Sequence, residues 1–218
     1  HRAKSRFVPV PCENRVLVGR AKSRTRARCG RCRGCRANEA KEWAYRASFE
    51  TACAADTWFV TLTFGEGLPQ EKRNLSALDV PLKRLRRVYP GMRYLAVHEY
   101  GEKRGRSHLH ALFHFPAWTT KRGIRQALCW EHGFDQLKRV GSNASAQRYV
   151  AKYATKASAS DAGSGAARSG SRRGRRYSAS QQYGRGLAVA HASLNALVAE
   201  ARKQCPDARI AEARTDEG

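Results

Sequence analysis

Two apolar segments, Arg93 to Tyr100 and His108 to Phe115, flank a short run, Gly101 to Ser107, made of glycine, charge and one serine. Segments of strand length, rich in aromatic and aliphatic residues and broken by such a run, close on each other as an antiparallel hairpin. A hairpin in mid-chain excludes an all-helical bundle and argues against a doubly wound parallel sheet, because parallel neighbours need a long crossover. The surrounding chain alternates strand and helix signals. Thr57 to Phe64 is dense in β-branched and aromatic residues and stops at Gly65, as a largely buried strand does. Helical spacing links Leu78, Leu82, Leu85 and Val88, with Pro81 tolerated in the first turn and Pro90-Gly91 as the stop. Further helices are predicted over Asn38 to Phe49, Ile124 to His132 and Ala144 to Lys156, and a further strand over Phe134 to Val140. The predicted fold class is α+β, a central antiparallel sheet flanked by helices, with flexible basic tails.

At 218 residues, 41% of them hydrophobic, the chain can bury one core of ordinary domain size. Four stretches are predicted: a basic arm with a cysteine cluster (1–36), the folded domain (37–157), a Ser/Gly/Arg-rich flexible segment (158–186), and a C-terminal helix with a polar tail (187–218). The arm is broken by Pro9, Pro11, Gly19, Gly30 and Gly34, so little regular structure is expected before the cysteines. Residues 158–186 lack the apolar surface that would offset ordering entropy.

A net charge of +24 exceeds what a metabolic enzyme needs for solubility and points to a polyanionic partner. Nucleic acid is that partner rather than a membrane surface: no apolar run approaches the ~20 residues of a spanning helix, and no amphipathic helix dominates. Residues 1–10 hold no long apolar core of the signal-peptide kind, so an intracellular location is expected. Arg31, Arg33 and Arg36, with Lys156, Arg172 and Arg173, are candidates for phosphate neutralisation. Trp58, Trp118, Trp130 and Tyr183 could stack bases, although aromatic residues in such elements more often fill cores.

Alternation puts His108 and His110 on one strand face and Leu109 and Ala111 on the other. The hairpin would bring Glu99 beside the pair. Two imidazoles and a carboxylate leave open positions on a divalent ion, as phosphate chemistry requires, whereas a plain histidine pair on an exposed face is the competing account. His114, on the same face, reads as structural or solvent-facing. Tyr149 and Tyr153 stand four apart on a predicted helix and so share a face, with Lys152 and Lys156 alongside. Such tyrosines either pack on a core or, with a polarised electrophile nearby, act as nucleophiles. Cys29, Cys32 and Cys35 suit a reducing compartment, and two readings stay open for them. They hold a structural Zn²⁺ with a fourth ligand from elsewhere, Cys12 or Cys53 being available, or they are reduced free thiols; iron–sulfur ligation fits the thiol count with nothing else to support it.

Taken in order, Trp58 to Phe64, then Glu99-Tyr-Gly-Glu with His108-Leu-His110, then Tyr149-Val-Ala-Lys-Tyr153 resemble motifs I, II and III of HUH replication initiators. The cysteine stretch ahead of a helix resembles the microvirus, gokushovirus-like replication-associated proteins, and the likeness spans roughly residues 29–156. It implies a rolling-circle initiator that nicks and rejoins single-stranded origin DNA through a 5′-phosphotyrosine. Glu99, His108 and His110 would hold Mg²⁺ or Mn²⁺, Tyr149 and Tyr153 would be nucleophiles, and Lys152 would orient the phosphate. Host replication proteins are the implied partners and the host cytoplasm the implied location. The long basic stretch before the cysteines departs from the likeness. Two alternatives stand: a non-catalytic single-stranded DNA-binding or packaging protein, and a relaxase or transposase of the same superfamily. Relaxases commonly place their tyrosine ahead of the histidines, the reverse of the order here.

Overall fold

In a computed structural model of the chain, the described residues are 10–19, 25–30, 32–100, 106–141, 149 and 177–184. Its elements in order are strands β1 (Val16–Val18) and β2 (Thr25–Ala27), helix α1 (Arg33–Cys53), strand β3 (Asp56–Phe64), helix α2 (Asp79–Val88), strands β4 (Arg93–Tyr100) and β5 (Ser107–Phe115), helix α3 (Lys121–Leu128), and strands β6 (Gly133–Arg139) and β7 (Tyr177–Ala179). The class is α+β. Five strands form one antiparallel sheet in the order β6-β3-β5-β4-β7, and β1 and β2 form a separate hairpin.

Alternation along β3, β4 and β5 divides the sheet into two unlike faces. Trp58, Val60, Leu62, Tyr94, Ala96, Leu109, Ala111 and Phe113 meet Leu82 and Leu85 of α2 and Ile124 and Leu128 of α3 in the larger core. Leu109, Phe113, Leu85, Ile124 and Leu128 lose all solvent contact, each worth about 1.5–3 kcal/mol of transfer free energy. The opposite face carries Phe59, Leu95 and Leu112 and packs against Ala44 and Ala47 of α1 together with Tyr183. Alanines let that helix lie close to the sheet.

Helix boundaries differ from expectation where side chains cap. Helix α1 begins at Arg33, earlier than Asn38, because the Cys32 sulfur accepts from the Cys35 amide as N-cap. A domain boundary after residue 36 therefore falls inside a helix. Helix α3 begins at Lys121, where the Thr120 side chain accepts from the Gly123 amide, and ends at Leu128 because Cys129 turns left-handed with φ 45°; it lies a few residues before the expected span. The arm holds regular structure that its prolines and glycines obscured, the β1–β2 hairpin.

The larger correction concerns the segment expected to be flexible. Residues 177–179 add a strand to the sheet edge, with Leu95 opposite Ala179 and Val97 opposite Tyr177. Tyr183 follows in a turn and is 3% exposed. Composition averaged over residues 158–186 hid two aromatic anchors: Tyr177 stacks on Trp43 at 5.3 Å between centroids, and Tyr183 lies 6.3 Å from the same ring. The helix expected at 187–203 lies outside the described residues, as do all but Tyr149 of the one expected at 144–156.

Candidate functional site

Strand β5 is the middle strand of the sheet, and its neighbours place partners on both sides of each histidine. Across one ladder Thr63 is opposite His108 and Thr61 opposite His110; across the other Glu99 is opposite His108 and Val97 opposite His110. One threonine hydroxyl lies 3.1 Å from Nδ1 of each imidazole on this face, Thr63 at His108, Thr61 at His110 and Thr57 at His114. Nδ1 is thereby engaged within the sheet, and the remaining nitrogen points away from the threonine. For His110 that nitrogen, Nε2, lies 2.8 Å from Glu99 Oε2, and both side chains are at least nine-tenths buried.

Such a pair suits a divalent ion. An ion ligated by both groups would replace their direct contact, and an Nδ1–H donated to a threonine oxygen fixes the tautomer whose Nε2 lone pair is free to ligate. His108 stands beside the pair, its ring centroid 6.2 Å from that of His110. Burial lowers the pKa of His108 against the opposing pull of Glu99, with Arg106 lowering it further. The neutral, ligating form is thus favoured. His114 is not part of this group. Fully buried, it sits between Thr57 and the Tyr183 hydroxyl, 2.7 Å from Nε2, and burial lowers its pKa to about 3. Its role is structural.

Tyr149 lies on the same face as Glu99 and His110. Its ring stacks on Phe59 at 4.1 Å, and Phe59 stacks in turn on His110 at 5.7 Å. Tyr149, Phe59, His110, Leu95, Val97 and Leu112 line one small pocket. Tyr153, Lys152 and Lys156, and the candidate phosphate contacts Arg31, Arg172 and Arg173, lie outside the described residues. Arg33 is exposed and Arg36 half-buried in the first turn of α1. Of the aromatic candidates for base stacking, Trp58 and Tyr183 belong to the cores, Trp130 is half-buried against Phe64, and Trp118 is 64% exposed.

A second cluster lies in the arm. The sulfurs of Cys12, Cys29, Cys32 and Cys35 all lie within 4.8 Å of one another, the one group of three or more potential ligands this tight among the described residues. Cys53, the other candidate fourth thiol, is at the far end of α1 beside Phe49 and Ala52.

Residues 57–158 match a family model of replication-associated proteins, that of replication-associated protein ORF2. The matched span starts in β3 and contains Glu99, His108, His110, Tyr149 and Tyr153; the cysteine cluster precedes it. Replication-associated protein ORF2 of Spiroplasma virus 4 is 31% identical over 160 residues, covering 59% of this chain and 47% of that protein. Replication-associated protein VP4 of Bdellovibrio phage phiMH2K is 31% identical over 154 residues with the same coverages, 59% and 47%. The chain thus spans about half the length of these curated relatives. A hypothetical protein, ORF119, of Sulfolobus islandicus rod-shaped virus 1 resembles the structure with a TM-score of 0.40 and 14% identity, over 53% of this chain and 93% of that one. No helix among the described residues is long and apolar enough to cross a membrane.

Sequence reasoning did not find Thr61 and Thr63. Their signal was present: threonine at every second position of Thr57-x-Phe59-x-Thr61-x-Thr63, Phe59 apart, puts hydroxyls on the face that a neighbouring strand could share with the histidines. Which strand pairs with which was the missing fact.

Proposed function

We propose that this chain initiates replication of a viral DNA genome, cutting and rejoining a single strand through a tyrosine ester. The observation that carries the reading is the shared sheet face of Tyr149 and the Glu99–His110 pair, joined through Phe59, within the span that matches replication-associated proteins. Glu99, His108 and His110 are the residues that would hold Mg²⁺ or Mn²⁺. When bound, such an ion polarises the scissile phosphate and stabilises charge developing on it.

The Tyr149 or Tyr153 oxygen attacks phosphorus as the phenolic proton leaves to solvent. The bond from phosphorus to the 3′ oxygen breaks, and that oxygen takes up a proton. The products are a 5′-phosphotyrosine and a free 3′-OH, and rejoining reverses the step with a 3′-OH as nucleophile. Thr61 and Thr63 hold the imidazole rings in plane by their Nδ1 bonds, so the face is organised before DNA arrives. The net charge of +24 supplies affinity for the strand through counterion release, independently of the chemistry.

Incubation of the purified chain with end-labelled single-stranded origin DNA and Mn²⁺ tests the reading. A covalent adduct that survives denaturant is expected, lost with EDTA and with His110→Ala, and lost fully in the Tyr149→Phe, Tyr153→Phe double variant, while strand binding persists in all three. Binding without any adduct from the wild-type chain would leave a non-catalytic single-stranded DNA-binding protein instead.

A further inference from the structure

We propose that Cys12, Cys29, Cys32 and Cys35 form a structural zinc site that fastens the β1–β2 hairpin to the N-terminus of helix α1. A tetrahedral zinc with Zn–S bonds of about 2.3 Å sets its sulfurs about 3.8 Å apart. The Sγ–Sγ distances are 3.7 Å for Cys12–Cys29, 3.9 Å for Cys29–Cys35 and 3.9 Å for Cys12–Cys32. Disulfide-bonded sulfurs would stand about 2.05 Å apart, and a four-iron cluster, with each thiolate on a different iron, would spread them more widely. The spacing fits one shared ion.

Backbone geometry adds a second line. The Cys29 amide donates to the Cys12 sulfur at 3.4 Å, the Cys32 amide to the Cys29 sulfur at 3.3 Å, and the Cys35 amide to the Cys32 sulfur at 3.4 Å. Amides aimed at sulfur stabilise thiolates, the form that binds metal and the form four packed thiols would otherwise resist. Contacts between thiols are weak, because S–H is a poor donor. They do not account for holding Cys12 against Cys29 across 17 positions of sequence. A shared ion does.

The chain beside the ligands is built for the same closure. Val10 and Asn38 exchange two hydrogen bonds, amide to Oδ1 at 2.9 Å and Nδ2 to carbonyl at 2.8 Å. Pro11 crosses α1 at Gly34, where a Cβ would come within 2.1 Å of the Pro11 carbonyl oxygen, so only glycine fits. The segment that Cys12 and Cys29 bracket carries Arg15, Arg20, Lys22, Arg24, Arg26 and Arg28. Zinc would thus make a fixed root for a basic, phosphate-seeking hairpin.

Metal analysis of the chain purified reduced and without chelator should give about one zinc per chain. Cys12→Ser and Cys32→Ser should lose it, while Cys53→Ser and Cys129→Ser retain it. Cobalt exchanged into the site should give the intense visible bands of a tetrahedral thiolate ion, and Cys12→His, which keeps a ligand, should shift those bands while retaining the ion. Trypsin should cut between residues 13 and 28 faster once the metal is stripped. Absence of tetrahedral cobalt bands in the reduced wild-type chain, or an unshifted Cys12→His spectrum, would overturn the site whether or not the serine variants fold.

Discussion

Glu50 joins three parts of the molecule that are distant in sequence, and removing it should show what holds the edge of the sheet. Its carboxylate, on α1, accepts from Arg93 Nε at 2.6 Å and Nη2 at 2.7 Å at the start of β4, and from the Gly184 amide at 2.6 Å in the turn after β7. Gly184 has φ 62° there, and a Cβ would stand 2.7 Å from Arg46 Cβ, so the turn approaches α1 as closely as a backbone can. Breaking a buried ion pair by deleting one partner costs about 3–5 kcal/mol. The Arg93 side chain is 35% exposed and regains some water, which places Glu50→Ala near the lower end, about 3 kcal/mol. Glu50→Gln keeps the shape and one acceptor but loses charge assistance, for about 1–2 kcal/mol. Urea denaturation measures both, and amide exchange reports the locality. Exchange over residues 177–184 should rise more than over β3 or β5. A Glu50→Ala variant within about 0.5 kcal/mol of wild type, with unchanged exchange at residues 177–184, would refute the anchoring role.

Two further outcomes are expected. The fully buried His114 has its pKa lowered to about 3 from 6.5, so in the unfolded chain it takes up a proton below pH 6.5 that the folded chain refuses until about pH 3. Its neutral packing is therefore fully compatible with folding above pH 6.5, and stability falls as pH drops from 6.5 towards 3 at up to about 1.4 kcal/mol per unit. Urea midpoints of His114→Gln should decline less over that window than wild type, and parallel declines would contradict the assignment. Thr61→Val and Thr63→Val remove the Nδ1 partners of His110 and His108 without changing side-chain volume much; the Mn²⁺ concentration for half-maximal adduct should rise about tenfold or more, with rescue at saturating metal. Thr57→Val, beside His114, should leave that concentration unchanged, and an equal response from all three would assign the threonines to sheet packing alone.

What the sequence disclosed follows from the range over which each signal acts. The β4–β5 hairpin and the shared face of His108 and His110 were legible because alternation is a property of adjacent residues, and a tight hairpin fixes its own register, bringing Glu99 opposite His108. Cys12 was legible only as one of two options. Its approach to Cys29 depends on the β1–β2 hairpin folding back, and the glycines and prolines of the arm masked those short strands. Residues 177–184 escaped notice because two tyrosines decide their fate against a background of serine, glycine and arginine.

Strand order explains the rest, and it decides the chemistry. With β5 between β3 and β4, each of the two histidines at the site has a threonine on one side, while the strand on the other side supplies the carboxylate. Exchange of β3 and β6 in that order would keep every local periodicity intact, yet would put Gln136 and Phe134 rather than Thr61 and Thr63 nearest the imidazoles, on the register by which β6 now pairs with β3. Neither of those side chains could fix an Nδ1–H tautomer as a threonine hydroxyl does, phenylalanine having no acceptor and glutamine a longer, less constrained one. Placement of β3 beside β5 is specified by burial instead: Trp58, Val60, Leu62 and Phe64 fill the larger core against α2 and α3, whereas β6 offers mainly Leu137 to it and exposes Phe134 at 80%. Hydrophobic content along β3 thus selects the central position, and the threonines that alternate with that content reach the histidines as a consequence.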